Sequence, residues 1–212
     1  MNCIRTALTG FCKRVARRLF CDRFWRYERI DGFLTLADAK CLYATARKLR
    51  PGSTVVEIGS WKGKSTYCLA RGLRGGRIIA IDPFDASGEP DSSEVYHNSQ
   101  NGDLYGSFCR TMAVMGVADK VEAWKGTSRD FIDRIPEIDL LFIDGDHSID
   151  GCRFDYEHYA SRVAKGGYLL FHDYQPGRPD LGPTWVINNF VLPSRLFSLV
   201  ETAGSVWVGK KI

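Results

Sequence analysis

The chain is 212 residues long, enough for one domain with a substantial core and barely enough for two. Hydrophobic residues at 44% and charged residues at 25% give the balance of an ordinary soluble globular protein. No apolar run is long enough for a membrane span or a secretory signal. The formal net charge of +4 is uneven: with residues 1–30 set aside the rest is close to neutral, which argues against nucleic-acid binding.

Residues 1–30 carry eight basic side chains (Arg5, Lys13, Arg14, Arg17, Arg18, Arg23, Arg26, Arg29) against Asp22 and Glu28. Leu8, Phe11, Val15, Leu19 and Phe20 interleave at helix-like spacing. Such a basic amphipathic arm suits peripheral contact with an anionic membrane surface. A solvated or partner-covering arm carries more weight. A single domain is expected over residues 31–212. Seven cysteines, at 3, 12, 21, 41, 68, 109 and 152, form no C-x-x-C pair. Their odd number and wide spread argue against a disulfide framework or structural zinc, and for reduced thiols in a cytoplasmic protein.

A helix is expected over 35–49, with Thr35 as cap, Asp38 three residues on, and a stripe of Leu36, Ala39, Leu42, Ala46 and Leu49. Pro51-Gly52 ends it. Thr54–Ile58 reads as a buried strand, followed by a glycine-rich turn and a helix over 64–73. Arg77–Ile81 is a strand ending at Asp82, and residues 84–101 are a polar loop. Then follow a helix over 104–115, a strand over 121–124 and a short helix over 128–134. Leu140–Ile143 is a strand ending at Asp144, and residues 149–163 are a helix. Gly166-Gly167 turns into the strand Tyr168–Phe171, which ends at His172-Asp173. Leu196–Val200 and Val206–Val208 are further strands. This alternation predicts an α/β fold with a doubly wound, mostly parallel sheet. In such sheets the ligand crevice lies beyond the carboxyl ends of the strands. Glu57, Asp82, Asp144 and Asp173 all stand there, which packing alone does not explain.

The turn Glu57-Ile58-Gly59-Ser60-Trp61-Lys62-Gly63 admits three readings. A phosphate-binding loop of the G-x-x-x-x-G-K-[ST] kind fails by one residue, because Ile58 stands where its first glycine is required. A dinucleotide fingerprint fails at Trp61. The third, E-x-G-x-x-x-G, resembles the first motif of class I methyltransferases; an ordinary glycine turn remains the alternative. Asp82, about 20 residues on, is placed to accept hydrogen bonds from both hydroxyls of a ribose, or to cap a turn. Glu57 would sit below the turn, holding loop backbone or a cofactor amino group.

The stretches "VVEIGSWKGKSTYCLA", "IIAIDPF", "LLFIDGDHSIDGCRFDYEHY" and "AKGGYLLFHDY" are more specific together. Over roughly residues 31–174, about two-thirds of the chain, the sequence resembles the small methyltransferases of the Methyltransf_24 type. These are related to catechol O-methyltransferases and to macrolide and aminocoumarin sugar O-methyltransferases. The resemblance implies a Rossmann-like sheet of seven strands, bound S-adenosylmethionine and methyl transfer to oxygen. It places the cofactor against Glu57, Gly59, Ser60, Gly63, Ser65, Asp82, Thr127, Ser128 and Asp144, with Thr127 and Ser128 at the adenine. In metal-dependent relatives an acid after the fourth strand and two residues after the fifth hold a divalent cation. By position these are Asp144, His172 and Asp173. Relatives carry two acids, or Asp-Asn, where this chain has His-Asp. That departure weakens the case for Mg²⁺ and suits Mn²⁺, Fe²⁺ or Zn²⁺ better; Asp144 and Asp173 alone, or no metal at all, remain alternatives.

A hydroxyl is a poor nucleophile at neutral pH, so a cation on its oxygen and a nearby base would both help. His147 is the candidate base beside Asp144, with a solvent-facing helix-start residue as the bland alternative. Asp146 would serve the metal or cap the next helix. Tyr96, His97 and Asn98 would form a lid, or a plain loop. The expected partner is a small-molecule acceptor, a sugar first and a catechol or phenol second. A cofactor-binding homologue without activity is the reading from another class. A homo-oligomer is compatible with all of these.

Overall fold

A computed structural model describes residues 24–85 and 102–212. The basic arm at 1–23 and the loop at 86–101, with Tyr96, His97 and Asn98, lie outside the described residues. So do the expected arm helix and the expected lid.

Helix α1 (Leu36–Lys48) opens on the capping box expected of Thr35 and Asp38: Asp38 N–H donates to Thr35 Oγ1 at 3.3 Å, and Thr35 N–H to Asp38 Oδ2 at 2.7 Å. Then come β1 (Ser53–Ile58), α2 (Lys64–Gly72), β2 (Gly76–Asp82), α3 (Leu104–Val114), β3 (Val121–Lys125) and β4 (Ile138–Ile143). They are followed by α4 (Ile149–Tyr159), β5 (Val163–Phe171), α5 (Gly182–Val186), β6 (Phe197–Ala203) and β7 (Val206–Lys211). The seven strands make one sheet in the order β3-β2-β1-β4-β5-β7-β6. Strands β1 to β5 run parallel, and β7 is antiparallel to both of its neighbours.

Consecutive apolar residues in the central strands face opposite sides and meet helices on both. Val55, Leu140 and Phe142 pack towards α1, α2 and α3, while Val56, Leu141 and Ile143 pack towards α4 and α5. All six are almost completely buried. The described end of the arm, with a 3-10 turn at Trp25–Arg29, sets Phe24, Tyr27 and Ile30 into the first of these cores. Among the described residues no helix is long and apolar enough to cross a membrane, and Cys41, Cys68, Cys109 and Cys152 are free thiols.

Three differences from the sequence expectations have local causes. Helix α4 ends at Tyr159, and residues 160–162 tighten into a 3-10 turn. The chain is already in β5 at Val163, so Gly166-Gly167 lie inside the strand rather than in a turn before it. The β4–β5 register breaks between Ile138 and Leu140, and a Cβ on Gly167 would stand 2.9 Å from the Asp139 carbonyl oxygen. Glycine is what lets the irregular strand approach so closely. Residues 182–194, unassigned from sequence, form α5 and its π-helical continuation, with proline in the first turn.

Two links join α1 to the β6–β7 hairpin. Asp38, fully buried, accepts Ser205 N–H at 2.8 Å through Oδ1, while Lys48 pairs with Glu201 at 3.3 Å with both side chains 43% exposed. Removing a buried cap acceptor costs more than removing an exposed ion pair. Asp38→Ala is expected to lower unfolding free energy by about 2–4 kcal/mol in urea. Lys48→Ala should change it by less than about 1 kcal/mol.

Candidate active site

The strand order reverses between β1 and β4, and a cleft of about 320 Å³ opens at their carboxyl ends. Four backbone hydrogen bonds carry the parallel ladder one residue past the strands: Gly126 N–H to Asp82 O, Gly59 N–H to Ile81 O, Asp144 N–H to Ile58 O, and His172 N–H to Ile143 O, at 3.0, 2.9, 2.8 and 3.1 Å. The first residues beyond the strands are therefore held in sheet register. Gly59 adopts φ +88°, and a Cβ there would stand 1.9 Å from the Asp144 carbonyl oxygen. Only glycine lets the β1 turn lie against the end of β4.

Beyond Gly59, the amides of Ser60 and Trp61 turn inward and donate to Asp82 Oδ2 at 2.9 and 2.8 Å, and Phe84 N–H donates to Oδ1 at 2.6 Å. Burial pushes the Asp82 carboxyl up and these amides oppose it. A carboxylate has about four acceptor positions. Three are occupied by backbone amides, which leaves one acceptor position open.

Glu57 is buried on β1 beneath the turn. Its Oε2 accepts the Ser60 hydroxyl at 3.0 Å and the Thr66 hydroxyl, and its Oε1 has no partner among the described residues. Burial pushes its carboxyl up to about 7 against the hydroxyls of Ser65, Thr66 and Ser60. It thus ties the Ser60 side chain of the turn to side chains in the first turn of α2.

Asp144, His147, His172 and Asp173 converge beyond the carboxyl ends of β4 and β5, where all four line the cleft. His147 Nε2 lies 3.4 Å from Asp144 Oδ1 and 3.3 Å from Asp173 Oδ2, and these three ligand atoms lie within 4.8 Å of one another. His172 Nδ1 reaches the same two oxygens from the buried side, at 3.0 and 3.2 Å. Its Nε2 has no hydrogen-bond partner among the described residues, with Asp38 Oδ2 3.9 Å away. Burial works against the charge of both His172 and Asp144, but their mutual attraction outweighs it. The pKa of His172 is raised far above its ordinary value and that of Asp144 is lowered. Trp61, Phe84 and Asp173, one after each of β1, β2 and β5, hold non-glycine backbone at φ +41°, +52° and +53°. Such conformations cost about 1–3 kcal/mol each and gather at functional sites.

Residues 56–174 match the methyltransferase-domain family Methyltransf_24. The chain belongs to this family. The chain is also 31% identical over 126 residues to an uncharacterised protein of Acanthamoeba polyphaga mimivirus, a match covering 59% of this chain and 53% of that one. The chain thus spans about half the length of that curated relative. Among solved structures, a methyltransferase from Geobacter sulfurreducens superposes with a TM-score of 0.62 at 20% identity, covering 97% of this chain and 89% of that one. The O-methyltransferase TomG of Streptomyces achromogenes, involved in tomaymycin synthesis and solved with SAM, superposes at 0.61 and 19% identity, covering 91% and 89%. These two likenesses establish the shared fold.

Of the site residues named from sequence, the methyltransferase cleft is lined by Gly59, Ser60, Ser65, Asp82, Thr127, Ser128, Asp144, His147, His172 and Asp173. Glu57 and Gly63 do not line it. Gly63 starts α2 at φ +87°, where a Cβ would stand 2.4 Å from Met112 Cε, so its place is set by packing on α3. Thr127 is engaged by Asp130 in a capping box, and Asp146 Oδ1 accepts Ser148 N–H at 2.8 Å at the start of α4.

Sequence reasoning missed the segment before α1. Lys62 pairs with Asp31 at 3.0 Å, Lys64 donates to Gly32 O at 2.9 Å, and Phe33 stacks on Trp61 with centroids 5.6 Å apart. The lysines of the turn tether residues 31–33 to the cleft rim, which no local pattern reveals.

Two glycines separate the steric and conformational costs. Gly52 and Gly59 share nearly the same φ, but a Cβ on Gly52 meets nothing within 4 Å. Gly52→Ala should lower the unfolding free energy by about 1 kcal/mol in urea. Gly59→Ala should cost more than about 3 kcal/mol or prevent folding. Equal losses would remove the close approach as the reason for Gly59.

Proposed function

We propose that this chain is an S-adenosylmethionine-dependent O-methyltransferase acting on a hydroxyl of a small metabolite, with a sugar as the favoured acceptor. The observation that carries the reading is the gathering of Asp144, His147, His172 and Asp173 in the same cleft as the glycine turn. Gly59, Ser60, Ser65, Asp82, Thr127 and Ser128 line the part that would hold the cofactor. Asp82 fits one ribose hydroxyl through its remaining acceptor position. Bound S-adenosylmethionine supplies a methyl group already activated by its sulfonium. The task left to the chain is to align the acceptor oxygen and manage its proton.

The clustered donors also fit a divalent cation. Asp144 and Asp173 offer oxygens, and His172 offers Nδ1, with the Asp38 carboxylate 3.9 Å from its other nitrogen. A mixed nitrogen and oxygen set suits Mn²⁺, Fe²⁺ or Zn²⁺ better than Mg²⁺. A bound cation lowers the pKa of a hydroxyl attached to it. His147, on the open side of the same carboxylates, accepts the hydroxyl proton, and Asp144 and Asp173 stabilise the imidazolium that results. A phenolic or catechol acceptor is the second reading, favoured by the Phe33–Trp61 stack at the rim, where a flat ring would find apolar surface.

S-Adenosylhomocysteine at 100 times its Kd is expected to stabilise the protein by about 2.7 kcal/mol, seen as a rise in Tm. No rise at saturation counts against the whole assignment. A screen of sugars and catechols with and without Mn²⁺ then identifies the acceptor. Asp144→Ala should abolish metal-dependent turnover and keep the cofactor-induced rise in Tm. His172→Ala should weaken Mn²⁺ binding at least about tenfold, whereas His147→Ala should retain Mn²⁺ and lose about 10²–10⁴ in kcat. The opposite pattern would exchange the two imidazole roles.

A further inference from the structure

We propose that the exposed face formed by the 3-10 turn at Trp25–Arg29 and helix α1 docks, together with the basic arm before it, on a bilayer surface of anionic lipid. Trp25, Phe33 and Leu36 are 41%, 67% and 38% exposed, three large apolar side chains in one short segment. Lys40 Nζ lies 6.0 Å from the centre of the Trp25 ring, and Leu36 stands about one helical turn before Lys40 on α1. The 3-10 turn and the helix therefore present one surface. Docking there is independent of what the cleft binds.

The charge of this surface is one-sided. Along α1 the exposed positions are Leu36, Ala37, Lys40, Ala44, Arg47 and Lys48, and the one acid of the helix, Asp38, is buried. Arg29 adds an exposed cation from the 3-10 turn, where Glu28 is the one acid. Of the neighbouring acids, Asp31 is paired with Lys62 and Glu201 with Lys48. Tryptophan, phenylalanine and leucine flanked by lysine and arginine suit the headgroup layer, where the apolar groups enter the acyl boundary and the cations meet anionic lipid.

The chain before the described residues supplies more charge of the same sign. Residues 1–23 hold six basic side chains against Asp22, with Leu8, Phe11, Val15, Leu19 and Phe20 among them. Phe24, the first described residue, packs its ring against Trp25 and against Tyr43 of α1, so the arm enters the fold at this face. A cation at an anionic surface strengthens attachment about fivefold, and the arm and the α1 face contribute to one partition coefficient. Neutral lipid gains only the apolar contacts. Phe33 also lines the cleft, so the cleft rim stands at the edge of the docked face.

The test is co-sedimentation of the full chain with vesicles. Vesicles of phosphatidylcholine and phosphatidylserine should bind it at least about tenfold more tightly than phosphatidylcholine alone, and high salt should release it. The double variant Lys40→Glu, Arg47→Glu reverses two exposed charges; it should bind at least about tenfold more weakly and keep the native Tm. Replacing Lys13, Arg14, Arg17 and Arg18 by glutamine in the full chain should weaken binding by at least as much. Trp25→Ser should also weaken it, with Leu36→Ser as the second probe if that variant misfolds. Equal binding to both vesicles, binding to neither, or native binding by the Lys40→Glu, Arg47→Glu variant overturns the inference. Retention of an RNA oligonucleotide in place of the vesicles overturns it too and reassigns the face to nucleic acid.

Discussion

Everything at the site depends on the ladder of backbone hydrogen bonds that continues one residue past β3, β1, β4 and β5. Because Asp144 N–H is bonded to Ile58 O and His172 N–H to Ile143 O, neighbouring strand ends cannot slide independently. The side chains just beyond them inherit the rigidity of a sheet rather than the freedom of loops. Gly59 is the condition for this, because its bare Cα lets the β1 turn lie on the Asp144 carbonyl. The same close approach turns the Ser60 and Trp61 amides toward Asp82.

The buried acids are compensated by three different kinds of partner. Asp82 is held by amides, Glu57 by hydroxyls, and Asp144 by two imidazoles. Amides and hydroxyls are dipoles that do not fully offset burial, so the carboxyls of Asp82 and Glu57 are pushed up, Glu57 to about 7. Asp144 and His172 instead hold each other in their charged forms, the carboxyl lowered and the imidazole raised.

Much of this was legible in the sequence. The strands were readable because VVEI and LLFI bury both faces and end in acids, and Thr35 and Asp38 announced their helix through a local capping pattern. The acids at the strand ends were found for the same reason: a short apolar run makes its terminus visible. What was missed depends on contacts distant in sequence. Asp38 reaches Ser205 across the fold, Lys62 reaches Asp31, and Asp155 comes to Ser128 only when α4 packs beside the turn at 128–134. Gly166-Gly167 misled because glycine marks a turn locally, while here it answers a steric demand from β4. Asp82 ends its strand as the spacing predicts, but spacing does not show that backbone amides claim three of its acceptor positions.

The left-handed residues Trp61, Phe84 and Asp173 carry a consequence for anyone engineering this scaffold. Each stores torsional cost that glycine would relieve, so a search for thermostable variants will be drawn to these positions. Each also aims a side chain or an amide at the cleft: the Trp61 and Phe84 amides at Asp82, and the Asp173 carboxylate at the histidines. Heat resistance gained there would be drawn from the preorganisation of the pocket. The rim of the cleft is therefore the place where selection for durability and selection for turnover pull the same three residues in opposite directions.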